Sequence, residues 1–278
     1  MRSVYSSHKL RKPIPFWGIC GHYPRWFPKR EFYLVSAAGL WWDCRGKVVR
    51  RRYPSPRTRM FLDGGGFTFF SKQGDYPFSP DEYLKLVEHP YYGYRPLLWA
   101  ALDYPCEPEI VRSSQSNLDR IEATLDHLSY LKRYATHEGM VPVVQGYTLD
   151  ERFHCLDRMA SAGLTSSFMA IGSLCALPDV KKIDEIVTAI GDYAEKNLSH
   201  PVAWHLFGVK TSYFKLTNST GWPYVFSFDT AAWELGNAGE TKNARGQAEL
   251  EFRFHRYRDR ISEILNRPRQ VPLTATTI

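Results

Sequence analysis

The feature that most constrains this chain is an alternation. Short apolar, β-branched or aromatic runs occur at 32–37 (FYLVSA), 59–63 (RMFLD), 97–103 (LLWAALD), 141–145 (VPVVQ), 168–172 (FMAIG), 202–208 (VAWHLFG) and 224–229 (YVFSFD). Runs of this length and makeup read as buried strands. Between several of them the period becomes helical. Ser79-Pro80-Asp81-Glu82 opens a short helix, and Ser116 and Asp119 have the spacing of a capping box. Leu118, Ile121, Leu125, Leu128 and Leu131 follow at helical intervals. Residues 150–162 form another helix with Gly163 as its C-terminal cap, and Val180, Ile183, Ile186, Val187 and Ile190 mark the next. Strands joined through helices lie parallel. Seven such strands fit a (β/α)8 TIM barrel better than an open doubly wound sheet, which stays the alternative. The eighth strand is expected near the N-terminus or after residue 230.

The chain of 278 residues is long enough for one such barrel, which commonly takes about 250 residues. We expect a single domain: a basic N-terminal segment at about 1–58, a core at about 59–240, and a C-terminal helix and tail at about 241–278. Hydrophobic residues at 44% supply a core, and 23% charged residues argue against global disorder. No stretch is apolar enough to span a bilayer, and the start, MRSVYSSHKL, lacks a signal-peptide core. The five cysteines, Cys20, Cys44, Cys106, Cys155 and Cys175, are odd in number and contain no CxxC, so the expected compartment is a reducing cytoplasm.

The strand ends are unusual. Asp63, Asp103, Gln145, Gly172, Gly208 and Asp229 close six of the seven runs. In a parallel barrel all C-terminal strand ends meet on one face, where active sites are built. A buried carboxylate there is costly unless it is paired or functional. One such residue is an ordinary loop starter; three aspartates and a glutamine in the same role point to a site. LDGGGF (62–67) places three glycines directly after Asp63, where the backbone can approach a ligand closely. The spacing matches neither a phosphate loop nor a dinucleotide fingerprint, so a flat base or sugar over Gly64–Gly66 fits better than a phosphate, and a tight structural turn is the plain alternative.

These elements resemble the guanine transglycosylases, which comprise the tRNA-guanine enzymes and the DNA-modifying deazaguanine transglycosylases of the DpdA group. The resemblance spans about residues 60–235. LDGGGF resembles the element with the general acid/base aspartate, here Asp63. ALDYPCEP (101–108) and VPVVQG (141–146) resemble the elements that read the guanine edge, here through Asp103 and Gln145. AIGSL (170–174) resembles the turn lining the base pocket, here Gly172, Ser173 and Leu174. HLFGVK (205–210) resembles the strand before the nucleophile, and SFDTAAW (227–233) the nucleophile element, here Asp229. Gly64, Gly65 and Phe67 complete the implied base site. Two departures matter. The tRNA enzymes carry a zinc site after the nucleophile, but no cysteine follows Cys175, so the resemblance implies neither metal nor cofactor. Gly64 and Thr68 stand where the family motif has serine and glutamine. GDYPFSPDEY (74–83) and SFDTAAW are closer to the DNA branch, so DNA is the expected partner over tRNA, with a free deazaguanine as second substrate and helper proteins possible. A short chain of this kind suits a bacteriophage protein acting in its host's cytoplasm.

The resemblance implies a double displacement at C1′, with Asp229 as nucleophile and Asp63 as proton donor and acceptor. The target base must leave the helix stack, and Phe67, Tyr104 and Tyr147 are candidates to stack on it. The net charge of +7 suits a polyanion. Arg45, Lys47, Arg50, Arg51, Arg52, Arg57 and Arg59, preceded by Trp41 and Trp42, are the candidate backbone contacts, and an exposed arginine-rich helix at 243–266 is a second basic face. Either segment is otherwise a solvated basic face. His154 with Cys155, and His205 with Cys175, match no metal spacing and read as core or helix-face residues. The rival readings are a reduced tRNA-guanine transglycosylase, a non-catalytic nucleic-acid-binding subunit, and an unrelated barrel glycosidase or lyase.

Overall fold

A computed structural model describes residues 12–19, 26–28, 30–42, 59–88, 95–108, 110, 116–216, 218–232 and 246–267. Its strands are β1 (Ile14–Ile19), β2 (Phe32–Ser36), β3 (Arg59–Asp63), β4 (Leu98–Ala100), β5 (Met140–Val141), β6 (Val143–Val144), β7 (Phe168–Ile171), β8 (Ala203–Leu206) and β9 (Val225–Thr230). All pair in parallel, in the order β5-β4-β3-β2-β1-β9-β8-β7-β6. The two ends of that order, β5 and β6, are halves of one strand separated by Pro142. Proline has no N–H for the ladder, yet its carbonyl still accepts a hydrogen bond from the Ala170 N–H at 2.8 Å. The sheet therefore closes as an eight-stranded barrel.

All seven expected runs are strands, and the eighth is β1, near the N-terminus. Its run, IPFWGI, carries Pro15 and Gly18, which break the usual look of a strand. The barrel thus begins well before residue 59: β1 and β2 lie in the stretch expected to be a basic extension, and β1 pairs with both β2 and β9.

Side chains on a strand alternate between faces, and the barrel uses both. Phe16, Leu34, Phe61, Ala100, Val141, Val143 and Ala170 fill the interior. Their sequence neighbours, among them Trp17, Tyr33, Leu62, Trp99 and Met169, point outward into the main core. That core is completed by the helices α1 (Ala37–Trp42), α2 (Gly66–Gln73), α3 (Pro80–Glu88), α4 (Asn117–Tyr134), α5 (Leu149–Ser161), α6 (Val180–Asn197) and α7 (Gln247–Asn266). The Ser116–Asp119 capping box forms at α4, and Thr148 with Glu151 forms a second at α5. Gly163 takes φ +65° just past α5, as a C-terminal glycine should.

The C-terminal helix differs from expectation. Instead of lying exposed, α7 buries Phe254, Ile261 and Ile264. Phe254 packs edge-on against Trp17 on the outer face of β1, with ring centroids 5.4 Å apart, so α7 shields the barrel where its first and last strands meet. Its arginines occupy the other side.

Helix α6 illustrates what holds the shell to the barrel. Ile183, Val187, Ile190 and Ala194 form its buried stripe, and Ile190 is 0% exposed. Truncating a side chain so enclosed costs about 2–5 kcal/mol. We expect Ile190→Ala to lower the urea midpoint of unfolding accordingly; an unchanged midpoint would contradict this packing.

Candidate active site

Several barrel strands run from apolar residues into a polar residue at or just past their C-terminal end, and these polar groups collect at one mouth. Asp63 is the last residue of β3, Asp229 lies one residue from the end of β9, Gln145 directly follows β6, and Gly172 directly follows β7. Asp103 lies three residues beyond β4. The closed sheet brings these sequence-distant residues to one face.

Two groups of carboxylates result. In the first, Asp229 is 9% exposed and its Oδ1 accepts a hydrogen bond from the Gly208 N–H at 2.7 Å. Gly208 has φ +62°, and a Cβ there would lie 2.7 Å from the Cys175 Cβ, so glycine is required to aim this N–H. Asp63 lies within range of Asp229's charge. Its carboxyl is pushed from 3.8 up to about 6, by burial first and by the Asp229 charge second. The Ser36 hydroxyl and the Gly64 and Gly65 N–H groups act in the opposite direction, and Gly65 N–H donates to Asp63 Oδ2 at 3.1 Å. One carboxylate pair with its proton affinities pushed apart can supply an acid and a nucleophile.

In the second group, the Asp103 carboxyl is pushed up to about 8, by burial first and then by Asp63, against the lowering effect of its bond from Gln145. Gln145 Nε2 donates to Asp103 Oδ2. The Gln145 Oε1 and the buried Glu107 Oε2 each lie 2.7 Å from the Ser173 hydroxyl, which has one hydrogen to share between them. Ser173 also accepts from the Cys106 N–H at 3.0 Å. It has φ +52°, the single non-glycine with a positive φ among the described residues. Such a conformation costs free energy and persists only where its surroundings hold it. Arg152, wholly buried, does so by donating to the carbonyls of Gly172 at 2.9 Å and Ser173 at 3.1 Å. A Cβ on Gly172 would stand 2.3 Å from Gln145 Nε2, so only glycine lets the Gln145 amide lie where it does. Asp103 is held through its own backbone: the Tyr76 hydroxyl donates to its carbonyl at 2.8 Å and accepts from its N–H at 3.2 Å. The result is a rigid row of donors and acceptors suited to one edge of a planar, hydrogen-bonding ligand.

A family model, DpdA (DeoxyPurine in DNA protein A), matches residues 22–245 of the chain. The chain belongs to the DpdA family. No curated protein matches it.

Within this DpdA fold, not every expected residue sits at the mouth. Gly64, Gly65 and Phe67 do follow Asp63 around the start of α2, and Phe67 is 46% exposed. Leu174 is buried in the main core. The Tyr104 ring packs on Phe70 and His127, and Tyr147 lies under the Lys182 ammonium. Arg59 opens β3 at the end opposite Asp63, with its guanidinium over the Phe32 ring, so it stands away from the mouth. Arg45, Lys47, Arg50, Arg51, Arg52 and Arg57 lie outside the described residues, as do the side chains of Trp41 and Trp42. No group of three or more His, Cys, Asp or Glu side chains suited to a metal ion occurs among the described residues.

Sequence reasoning missed Tyr76, Glu107, Arg152 and Ser36, and read His205 as an ordinary core histidine. His205 is buried in the barrel interior between Phe61 and Phe207, directly beneath the site. Its Nε2 is 3.6 Å from Asp229 Oδ1 and its Nδ1 is 2.8 Å from the Ser227 hydroxyl. Burial lowers its proton affinity, so it is neutral there. The tautomer with hydrogen on Nε2 lets Nδ1 accept from Ser227 and turns an N–H dipole toward Asp229. Ser36 was nearly within reach of the strand-end argument, since it is the last residue of β2 and the next-to-last of the run at 32–37; a buried arginine or a strained serine leaves no signal in a single sequence.

The high proton affinity of Asp103 has a stability consequence. Above about pH 4 the unfolded chain has lost this proton, while the native state keeps it until about pH 8. Its contribution is therefore full below the unfolded value and declines as pH rises through about 8. We expect Asp103→Asn to gain thermal stability relative to wild type between about pH 5 and about pH 9. Melting curves that keep a constant separation over that range would contradict the assignment.

Proposed function

We propose that the chain exchanges a guanine in DNA for a deazaguanine through a covalent link to Asp229. The observation that carries this reading is the pairing of Asp229, fixed by the Gly208 N–H, with Asp63, whose carboxyl is raised to about 6 beside it. The reaction needs one carboxylate ionised and one able to carry a proton. Membership in a family named for deoxypurine in DNA supports DNA as the substrate.

In the first step an Asp229 oxygen attacks C1′ of the target deoxyguanosine. The C1′–N9 bond breaks, its electron pair stays on the guanine, and Asp63 delivers the proton that neutralises the leaving base. After guanine leaves, the deazaguanine gives the N–H proton of its five-membered ring to Asp63. That nitrogen attacks C1′, and the bond to Asp229 breaks. Two inversions return the β configuration. Asp103 and Gln145 offer an acceptor and a donor that match the N1–H, N2–H and O6 edge common to guanine and its deaza analogues. A base without that edge would leave their buried groups unpaired, which is strongly disfavoured. The Gly64–Gly65 backbone gives a flat base close access, and Phe67 stands beside it to cover its face.

Labelled-guanine exchange into DNA tests the proposal, with tRNA offered in parallel. We expect label in DNA, loss of exchange by at least ~10³-fold in Asp229→Ala, and a ~10²–10⁴-fold loss in Asp63→Asn. Label in tRNA alone would assign the chain to the other substrate class, and full activity in Asp229→Ala would remove that residue from the nucleophile role. The rate of guanine release in a single turnover should fall as pH rises through about 6, because Asp63 then lacks the proton to deliver.

A further inference from the structure

Beside Asp229, a groove of about 800 Å³ runs between the segment after β8 and helix α7. Asp229 and Thr230 are among the residues that line it. The wall on one side carries Lys210 and Lys215; the wall on the other is the exposed face of α7, with Phe252, Arg256 and Arg260. A second hollow of about 770 Å³ continues it along α7, sharing Lys215, Phe252, Arg256 and Arg260. Among the described residues, Lys210, Lys215, Arg256 and Arg260 pair with no carboxylate, whereas Arg258 on the same helix is tied to Glu31 and Asp259. The α7 wall is fixed to the strand of Asp229: the Tyr257 hydroxyl lies 3.1 Å from Thr230 Oγ1.

Phe252 is the second observation. It is 61% exposed, the most exposed large apolar side chain described, and it stands among these cations. The helix had buried places for aromatics and used one for Phe254, two residues on. An apolar ring kept in water beside unpaired lysine and arginine is the combination that binds unpaired nucleotides: cations follow the phosphates and a ring stacks on a base. A duplex hides the faces of its bases and has no use for the ring.

We propose that this groove holds single-stranded DNA flanking the target nucleotide, with Lys210, Lys215, Arg256 and Arg260 on its phosphates and a base stacked on Phe252. The inference rests on DNA being the substrate and adds where the strand runs and that it is unpaired there. Asp229 lines the groove, so a strand lying in it brings a nucleotide to the carboxylate pair, and the cost of opening a duplex falls outside the barrel. This places the affinity for DNA on α7 and the segment after β8.

The test is fluorescence anisotropy with a labelled single-stranded oligonucleotide and a hairpin duplex of the same sequence, using full-length wild type, Phe252→Ala and Arg256→Glu/Arg260→Glu. All three substitutions are at exposed positions, and unchanged melting curves verify folding. We expect the double variant to bind the single strand at least ~10-fold more weakly, with a shallower dependence of log Kd on log salt. Phe252→Ala should weaken single-strand binding about tenfold while leaving hairpin binding within about twofold. Binding of the single strand unchanged in both variants, no binding by wild type, or equal losses on strand and hairpin in Phe252→Ala would overturn the proposal. Because binding is read without chemistry, the outcomes separate: wild type that exchanges bases while groove variants bind normally overturns the groove alone, and groove-dependent binding without any exchange overturns the proposed reaction alone.

Discussion

Closing a parallel sheet on itself forces every strand to end on the same rim, and the rest of this molecule follows from that constraint. The interior can be filled with Phe16, Leu34, Phe61 and Val143 only as far as the last turn of the barrel. Beyond it the alternation still aims Asp63, Gln145 and Asp229 inward, where water is scarce and each carboxylate feels the next. Burial and mutual repulsion then spread the proton affinities, with Asp63 at about 6 and Asp103 at about 8. These are the conditions for proton transfer near neutral pH, and they come from the position of the side chains on the barrel.

The mouth divides into two halves, one around Asp229 and one around Asp103 and Gln145, that differ in how densely they are bonded. Around Asp229 the contacts are few: one backbone N–H and a neutral histidine dipole beneath. Around Asp103 and Gln145 the network is dense, running through Ser173, Glu107 and Tyr76 to the buried guanidinium of Arg152. The proposed reaction asks Asp229 for an available oxygen, and few bonds suit that. The proposed recognition of a base edge needs fixed directions, and a dense buried network suits that. The strained backbone of Ser173 belongs to that second half, held by Arg152 from outside.

Much of this could be read before any coordinates. Seven of the eight strands followed from apolar runs, six of them closing in Asp, Gln or Gly, because inward and outward burial on both faces of a parallel strand leaves a continuous hydrophobic signal. β1 escaped because Pro15 and Gly18 interrupt that signal, and with it went the true start of the barrel. The C-terminal helix was visible as a helix, but its arginines concealed Phe254, Ile261 and Ile264 on the opposite stripe. The supporting residues were less legible. Tyr76 and Arg152 act through backbone atoms of distant loops, and no local pattern announces such a contact. His205 looked like any core residue until the closed sheet set it under Asp229.

The central claim is that Asp229 carries the sugar during exchange, and trapping that link tests it most directly. A guanine-containing oligonucleotide would be incubated with the protein, the mixture quenched by denaturation, and the cross-linked peptide located by mass spectrometry. The account predicts an oligonucleotide adduct on Asp229 that disappears when deazaguanine is added in excess before the quench. An adduct on Asp63 or elsewhere, or exchange that inverts the configuration at C1′, would contradict it.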